Sequence, residues 1–305
     1  MLLNKELNWY NFNAKEEDVA KAIKTLAWDV DIPKELADYA TDEDERAFLE
    51  VNKLNHHIGL TVVFHVIDRE TVDGHYETAP MTFYVLEDRL LTVSNQRNHY
   101  IIELLEEALD QEEAQMSQKQ FLFLALTIIT KQYFKIVSQI ARETDELNRQ
   151  LRQQTSKKGL LAMSDLETGL VYLMSAANQN VFVLEQLKEH PHQRQLSDNE
   201  EEQLMDAIIE ARQLANMTQL NSQILSQLSD TFNNVLNNNL NDNLTALNII
   251  SVNLAIVAAI TGYFGMNIPL PLMHSRWAWV GVIVVSAVLW FIIAQVLKRF
   301  LQFRR

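Results

Sequence analysis

The stretch "ITGYFGMNIPLPL", Ile260–Leu272, ends a segment that avoids helix breakers: no Gly or Pro occurs between Pro191 and Gly262, after which Gly262, Gly265, Pro269 and Pro271 follow in quick succession. Glycine and proline are the residues a helix interior tolerates least. A chain that excludes them for so long and then stops at Gly-Met-Asn has a reason to stop there, and the segments on either side supply it.

Upstream, Thr245–Met266 reads "TALNIISVNLAIVAAITGYFGM" with no charged residue; downstream, Trp277–Leu297 reads "WAWVGVIVVSAVLWFIIAQVL", again with none. Each is close to the roughly 20 residues that cross a bilayer. The second has Trp277 and Trp279 at one end and "KRFLQFRR" at the other, an aromatic anchor opposite a basic one. The positive-inside rule then puts the tail, 298–305, in the cytoplasm. With spans at 245–266 and 277–297, the segment before them is cytoplasmic too, and the loop 267–276 faces outward. The expected protein is a multi-pass protein of the inner or plasma membrane with both termini cytoplasmic. "MLLNKELNWYNFNAKEEDVA" has no basic region followed by an apolar core, so no cleaved leader is read there.

Charge is divided as sharply as hydropathy. All 40 acidic residues lie at or before Asp242, together with 21 of the 26 Lys and Arg, which leaves a formal −19 on residues 1–242. Such a surface repels phosphate backbones and attracts cations, so nucleic-acid binding is excluded as a main function. The chain of 305 residues has no Cys, hence no disulfide framework and no thiolate metal site. No Gly-x-Ser-x-Gly, Gly-rich phosphate loop or His-Glu-x-x-His occurs, and nothing points to an enzyme.

Residues 1–96 read as a mixed α/β subdomain. "KEEDVAKAIKTLA" and "TDEDERAFLEVNKLN" carry helical spacing, while "IGLTVVFHVI", "PMTFYVLED" and "RLLTVSN" are β-branched or aromatic runs separated by Asp73-Gly74 and Glu87-Asp88 turn signals. Residues 97–196 read as helical. Within them "EAQMSQKQFLFLALTIITKQYFKIVSQIARETDELNRQL" is too polar at its ends for a third span and apolar enough inside for a core helix. His190-Pro191-His192 reads as a turn before a new helix rather than a metal site, since nothing near it in sequence completes a ligand set. After Ser197, with Asp198, Glu200 and Glu201 in its first turn, a stalk helix over 197–244 continues into the first span and reaches on the order of 105 Å.

Steps of three and four back from Gly265 pick out Gly262, Ala258, Ala255, Ser251, Asn248, Leu244, Asn241, Asn237, Asn234 and Asp230. In a coiled coil these positions would be Leu, Ile or Val; here all but Leu244 are small or polar, from cytosol into membrane. Close packing of helices through small residues is one reading. A water-filled lumen is the other, and the run of asparagines favours it, because one is usually enough to set the register of a packed pair. Two spans cannot enclose a pore, so a lumen implies a symmetric ring of subunits. At its outer end the helix breaks at Gly265, which presents Asn267 and freed carbonyls, oxygen ligands suited to Mg²⁺ held through its waters.

"YFGMN" closing the first of two C-terminal spans, after a long helix and an acidic domain, resembles the CorA family of magnesium transporters, and "RLLTVSN" and "RWAW" agree more loosely. The resemblance implies an α+β cytoplasmic domain with a long helical stalk and two C-terminal transmembrane helices, a CorA-like funnel, and a ring oligomer, a homopentamer. It implies passive, potential-driven uptake of divalent cations, gated by intracellular Mg²⁺, with no organic cofactor. Gly265, Met266 and Asn267 would form the selectivity filter, Asn241 an inner polar ring, Leu244 and Leu247 a hydrophobic constriction, and Asp230 an acidic ring. Asp206 would hold a regulatory Mg²⁺ between subunits. The outer loop "IPLPLMHSR" departs from the family in having no acid; its His274 makes Zn²⁺ the alternative ion, ahead of Co²⁺ or Ni²⁺. A membrane-anchored coiled-coil scaffold is the alternative class, and the polar seam argues against it.

Overall fold

The computed structural model describes residues 2–14, 21, 33, 35–42, 44–54, 57–111, 116–153, 156–190, 196–266 and 277–302. Six described strands form one sheet: β1 (Leu2–Asn4), β2 (Trp9–Asn13), β3 (Phe48–Leu54), β4 (His57–Val72), β5 (His75–Leu86) and β6 (Arg89–Ser94), in the order β1-β2-β6-β5-β4-β3. Only β2 and β6 run parallel; the other pairs are antiparallel. Both turn signals do what their residues permit. Asp73 and Gly74 take positive φ (49° and 90°) between β4 and β5, and Glu87 (φ 50°) opens the two-residue turn between β5 and β6.

Alternation sends the two faces of this sheet to different partners. On one face Phe12, Tyr84, Leu86, Leu91 and Val93 bury Leu36 and Ala40 of a short helix, α1 (Leu36–Thr41). On the other, the Trp9 ring packs tilted against Phe121 with ring centroids 4.7 Å apart and donates from Nε1 to Thr92 Oγ1. Phe121 belongs to α3 (Gln118–Gln153), which follows α2 (Tyr100–Gln111) and is joined on this face by α4 (Lys157–Glu189). A sheet covered on both faces explains why "TVVFHVI" is apolar almost without interruption. Gly169 lets α4 lie on β5, because a Cβ there would meet the Tyr76 backbone nitrogen at 3.0 Å.

Two sequence expectations need correction. "TDEDERAFLEVNKLN" does not continue as a helix: α1 ends at Thr41, and Phe48–Leu54 is the edge strand β3, laddered to β4 from Phe48↔Val63 to Leu54↔His57. Pairing with a neighbour strand outweighed a local period that fitted a helix. The N-terminal segment, read only for a leader, supplies β1 and β2. The expected helix over "KEEDVAKAIKTLA" falls almost wholly outside the described residues.

A single helix, α5 (Asp198–Phe264, 67 residues), carries the chain from the first compact unit, Met1–Asp230, into the second, Thr231–Arg305. It opens with a capping box. The Ser197 N–H donates to Glu200 Oε2 at 2.9 Å and Ser117 Oγ donates to Glu200 Oε1 at 2.6 Å. Within the first unit it buries Leu204, Ala207, Ile208, Ala211, Leu214 and Thr218, and ion pairs Arg212–Glu185 and Lys131–Glu210 tie it to α4 and α3.

The second unit holds the rest of α5 and α6 (Ala278–Gln302), which runs past the apolar end at Leu297 through Lys298 and Arg299. Burial separates the apolar helices. The most apolar window of α3 is 56% buried, as a core helix should be, whereas that of α5 has mean hydropathy 2.0 and is 6% buried. Most of the second is apolar surface left exposed by the described residues, which is what a lipid-facing helix presents.

Candidate functional site

The residues of the sequence seam share one condition: Asp230, Asn234, Asn237, Asn241, Leu244, Asn248, Ser251, Ala255, Ala258, Gly262 and Gly265 are all exposed. Leu244 and its neighbour Leu247 are 57% and 59% exposed. Over the first span the covered positions of α5 form another face: Thr245, Ile249, Asn253, Ile256, Val257 and Ile260. At 100° per residue Asn253 lies about 160° around the helix from both Ser251 and Ala255. The small, polar seam and the covered face are therefore on opposite sides of one helix. The other described helix of this unit, α6, has Val280, Val282, Ser286 and Ile293 part-buried, the last three at helical spacing.

Among the described residues nothing crowds Gly262. A Cβ at Gly262 would meet nothing within 4 Å. Gly265 differs: there a Cβ would lie 3.2 Å from the Thr261 carbonyl oxygen, so the chain closes tightly around it. The Gly265 N–H is shared between Thr261 O (2.9 Å) and Gly262 O (3.2 Å), and the Met266 N–H donates to Tyr263 O at 3.4 Å. These shorter bonds tighten the last turn, as helix ends do when carbonyls run out of partners. Thr261 Oγ1 donates back to Val257 O and Ala258 O, and Tyr263 and Phe264 meet edge to face with centroids 5.4 Å apart. Asn267 and the loop that carries His274 lie outside the described residues.

Asp206 is exposed on α5, and among the described residues no three of His, Cys, Asp and Glu stand close enough to share a metal ion. His190 caps the C-terminus of α4, its N–H donating to Gln186 O at 3.0 Å, while Pro191 and His192 of the expected turn lie outside the described residues. Glu200, at the start of α5, is held below the ordinary glutamate range: burial works to raise it, and hydrogen bonds from Ser117 and Ser197 outweigh burial. The sequence places Glu200 only as an acid of the first helical turn; its capping-box role is legible in the Ser-x-x-Glu spacing. Asn253, the one polar residue of the first span that is buried, was masked by the asparagines of the seam.

A profile of the family described as CorA-like Mg²⁺ transporter protein matches residues 4–299. Among solved structures, the complete CorA magnesium transporter from Methanocaldococcus jannaschii is similar with TM-score 0.76 and 21% identity, over 95% of this chain and 90% of that one. Full-length CmaX is similar with TM-score 0.68 and 14% identity, over 93% and 88%. The cytoplasmic domain of ZntB from Vibrio parahaemolyticus RIMD 2210633 gives TM-score 0.56 and 10% identity, over 75% and 88%. No curated protein matches the chain. An α/β domain, a long helix that emerges from it with a polar exposed seam, an end at Gly-Met-Asn and one further apolar helix account for that profile match along nearly its whole length, and the chain belongs to the CorA-like Mg²⁺ transporter family.

Proposed function

We propose that this member of a divalent-cation transporter family carries Mg²⁺ through a ring of subunits, a pentamer, in which each α5 turns its seam inward. What supports the reading is the seam itself: a continuous small and polar face, exposed along α5 and opposite the covered one, that leads to Gly265-Met266-Asn267. Lipid gives no reason for Asn234, Asn237, Asn241 and Asn248 on one face, and the chain's own packing gives none for Gly262. The filter would be Gly265, Met266 and Asn267, with Asn241 as inner polar ring and Leu244 and Leu247 as constriction.

Mg²⁺ is favoured by the ligand chemistry. The seam offers amide and carbonyl oxygens and no imidazole, and the chain has no thiolate. Entry is driven by the membrane potential, about 4.6 kcal/mol for a divalent ion at 100 mV. Asp206 and the formal −19 on residues 1–242 supply carboxylates that cytoplasmic Mg²⁺ would bridge, drawing subunits together as the ion accumulates. One observation favours a second reading: His274 at the outer loop is a Zn²⁺ ligand type. Flux of Mg²⁺, Co²⁺, Ni²⁺ and Zn²⁺ into proteoliposomes under an imposed potential tests the proposal. Mg²⁺ entry that grows with the potential is expected; Zn²⁺ entry without Mg²⁺ entry would overturn it.

A further inference from the structure

Asn253 is a polar residue in the wrong place for a lipid-facing or core position. It is 5% exposed on a face of α5 whose other covered members are Thr245, Ile249, Ile256, Val257 and Ile260, and its Oδ1 has no hydrogen-bond partner among the described residues. An apolar residue there would complete the face without leaving an unsatisfied amide in hydrocarbon. The amide is not on the seam, so the ion path does not account for it.

Depth supplies a partner. Asn253 is 11 residues from the outer end of α5 at Phe264, about 16 Å, and Ser286 is eight residues from the outer end of α6 at Ala278, about 12 Å. Counted from those ends, the two positions differ by about 4 Å, less than one helical turn. Ser286 is polar and part-buried on the covered side of α6, where its hydroxyl donates to Val282 O at 2.8 Å, the carbonyl one turn back. The Val282 carbonyl sits inside the helical ladder, so the Ser286 hydroxyl bond is an addition to it and leaves that proton available to a second acceptor.

We propose that Asn253 is a positioning residue of the ion path: its buried amide accepts from Ser286 across the α5–α6 contact and fixes the rotation of α5 about its own axis. The seam is then held on the side facing away from α6. A face of Ile and Val alone would tolerate small rotations of α5, since apolar contacts are not directional; one hydrogen bond per subunit would not. This rests on the seam being the ion-facing side, and the test separates the two claims.

The chain contains no Cys, so single cysteines report orientation without background. Ser251→Cys, Ala255→Cys, Ile249→Cys and Ile256→Cys are labelled in the full chain in vesicles with a water-soluble thiol reagent. Each is compared with the same cysteine beside Asn253→Leu, Asn253→Ser or Ser286→Ala. The proposal expects Asn253→Leu and Ser286→Ala to shift the labelling from the Ser251 and Ala255 positions toward their neighbours around the helix. It expects both to lower Mg²⁺ flux by a similar factor, roughly tenfold, with no further loss in the double variant. Asn253→Ser restores both readouts. An unchanged pattern in Asn253→Leu overturns the proposal, as does a Ser286→Ala chain that behaves like wild type. If Ser251 and Ala255 are unlabelled before any change at Asn253, yet Asn253→Leu still shifts the pattern, the positioning role stands and the pore assignment fails.

Discussion

Asn180 of α4 grips the backbone of His65 with both ends of its amide: the His65 N–H donates to Asn180 Oδ1 at 2.9 Å, and Asn180 Nδ2 donates to His65 O at 2.9 Å. The pairing stands where a strand is missing. β3 begins at Phe48, opposite Val63, so β4 has lost that neighbour by His65; on its other side His65 is paired with Pro80, whose own carbonyl turns away to accept from Asn98. An amide side chain has the same donor and acceptor as a peptide group, and Asn180 replaces the absent ladder partner. Tyr133 OH adds a second bond to His65 O at 3.0 Å, and the adjacent Gln179 Oε1 accepts from the Ala47 N–H at 3.0 Å. Asn180→Leu should therefore destabilise the first unit by about 2 to 3 kcal/mol, since two buried backbone groups lose a partner. Urea unfolding checks it; a change below about 0.5 kcal/mol would show that the amide is incidental.

The capping box of α5 predicts an acid sensitivity. Glu200 has its folded pKa depressed, so its contribution is full above the ordinary glutamate pKa of about 4.3 and is lost as pH falls through the lower folded value. Glu200→Gln keeps an amide oxygen for the Ser197 N–H but removes the charge at the helix N-terminus, and should cost about 0.3 to 1 kcal/mol at neutral pH. It should also flatten the fall in stability on the acid side. Thermal unfolding of both chains from pH 7 to 3 reads this, and parallel curves would remove Glu200 from the account.

Gly169 sets two effects against each other. In a helix interior Ala is better than Gly by about 1 kcal/mol. At this position a Cβ would come within 3.0 Å of the Tyr76 backbone nitrogen, and a backbone atom in a buried strand cannot swing aside. Gly169→Ala should therefore lower stability by roughly 1 to 3 kcal/mol in spite of the gain in propensity. A more stable variant would mean that α4 can withdraw from β5 freely.

The same contacts explain which parts of the chain were readable. β4, β5 and β6 announce themselves because each pairs within its own neighbourhood and each turn is written in its residues, Asp73-Gly74 and Glu87-Asp88. β3 was misread because Phe48–Leu54 becomes a strand through its ladder with β4, and β2 was passed over because its parallel partner, β6, is some 80 residues away in sequence. The seam of α5 was legible as a period of three and four. Its relation to α6 was not: the side on which α5 is covered depends on Ile249, Asn253 and Ile260 meeting protein rather than lipid, and composition treats both alike. Asn180 and Gln179 act on backbone more than a hundred residues away, and no local pattern records that.

Asn267 follows directly on the tightened turn at Gly265 and Met266. If its amide oxygen is the first ligand to an incoming hydrated ion, Asn267→Ala should abolish Mg²⁺ uptake and leave assembly intact, since no covered residue of α5 is altered. Detergent-solubilised size and proteoliposome flux are measured together. Wild-type flux from a correctly assembled variant would take the filter away from Gly265-Met266-Asn267.

Leu244 is the one large apolar side chain on the seam, between Asn241 and Asn248, and it is 57% exposed. Nothing among the described residues covers it, and its level, at the start of the first charge-free run, is where a ring of such side chains would narrow a water-filled path. A narrow apolar ring empties of water more readily than a polar one, and an ion cannot cross an empty gap without losing its shell. Leu244→Asn gives the position the amide its neighbours already carry and should keep the ring wet: basal Mg²⁺ leak at millimolar internal Mg²⁺ should rise by roughly tenfold or more, a barrier loss of about 1.4 kcal/mol. Leu244→Met keeps volume and hydropathy and should stay tight. A leak that rises equally in both variants would point to damaged packing, and a Leu244→Asn chain as tight as wild type would move the constriction elsewhere, with Leu247 as the next residue to change.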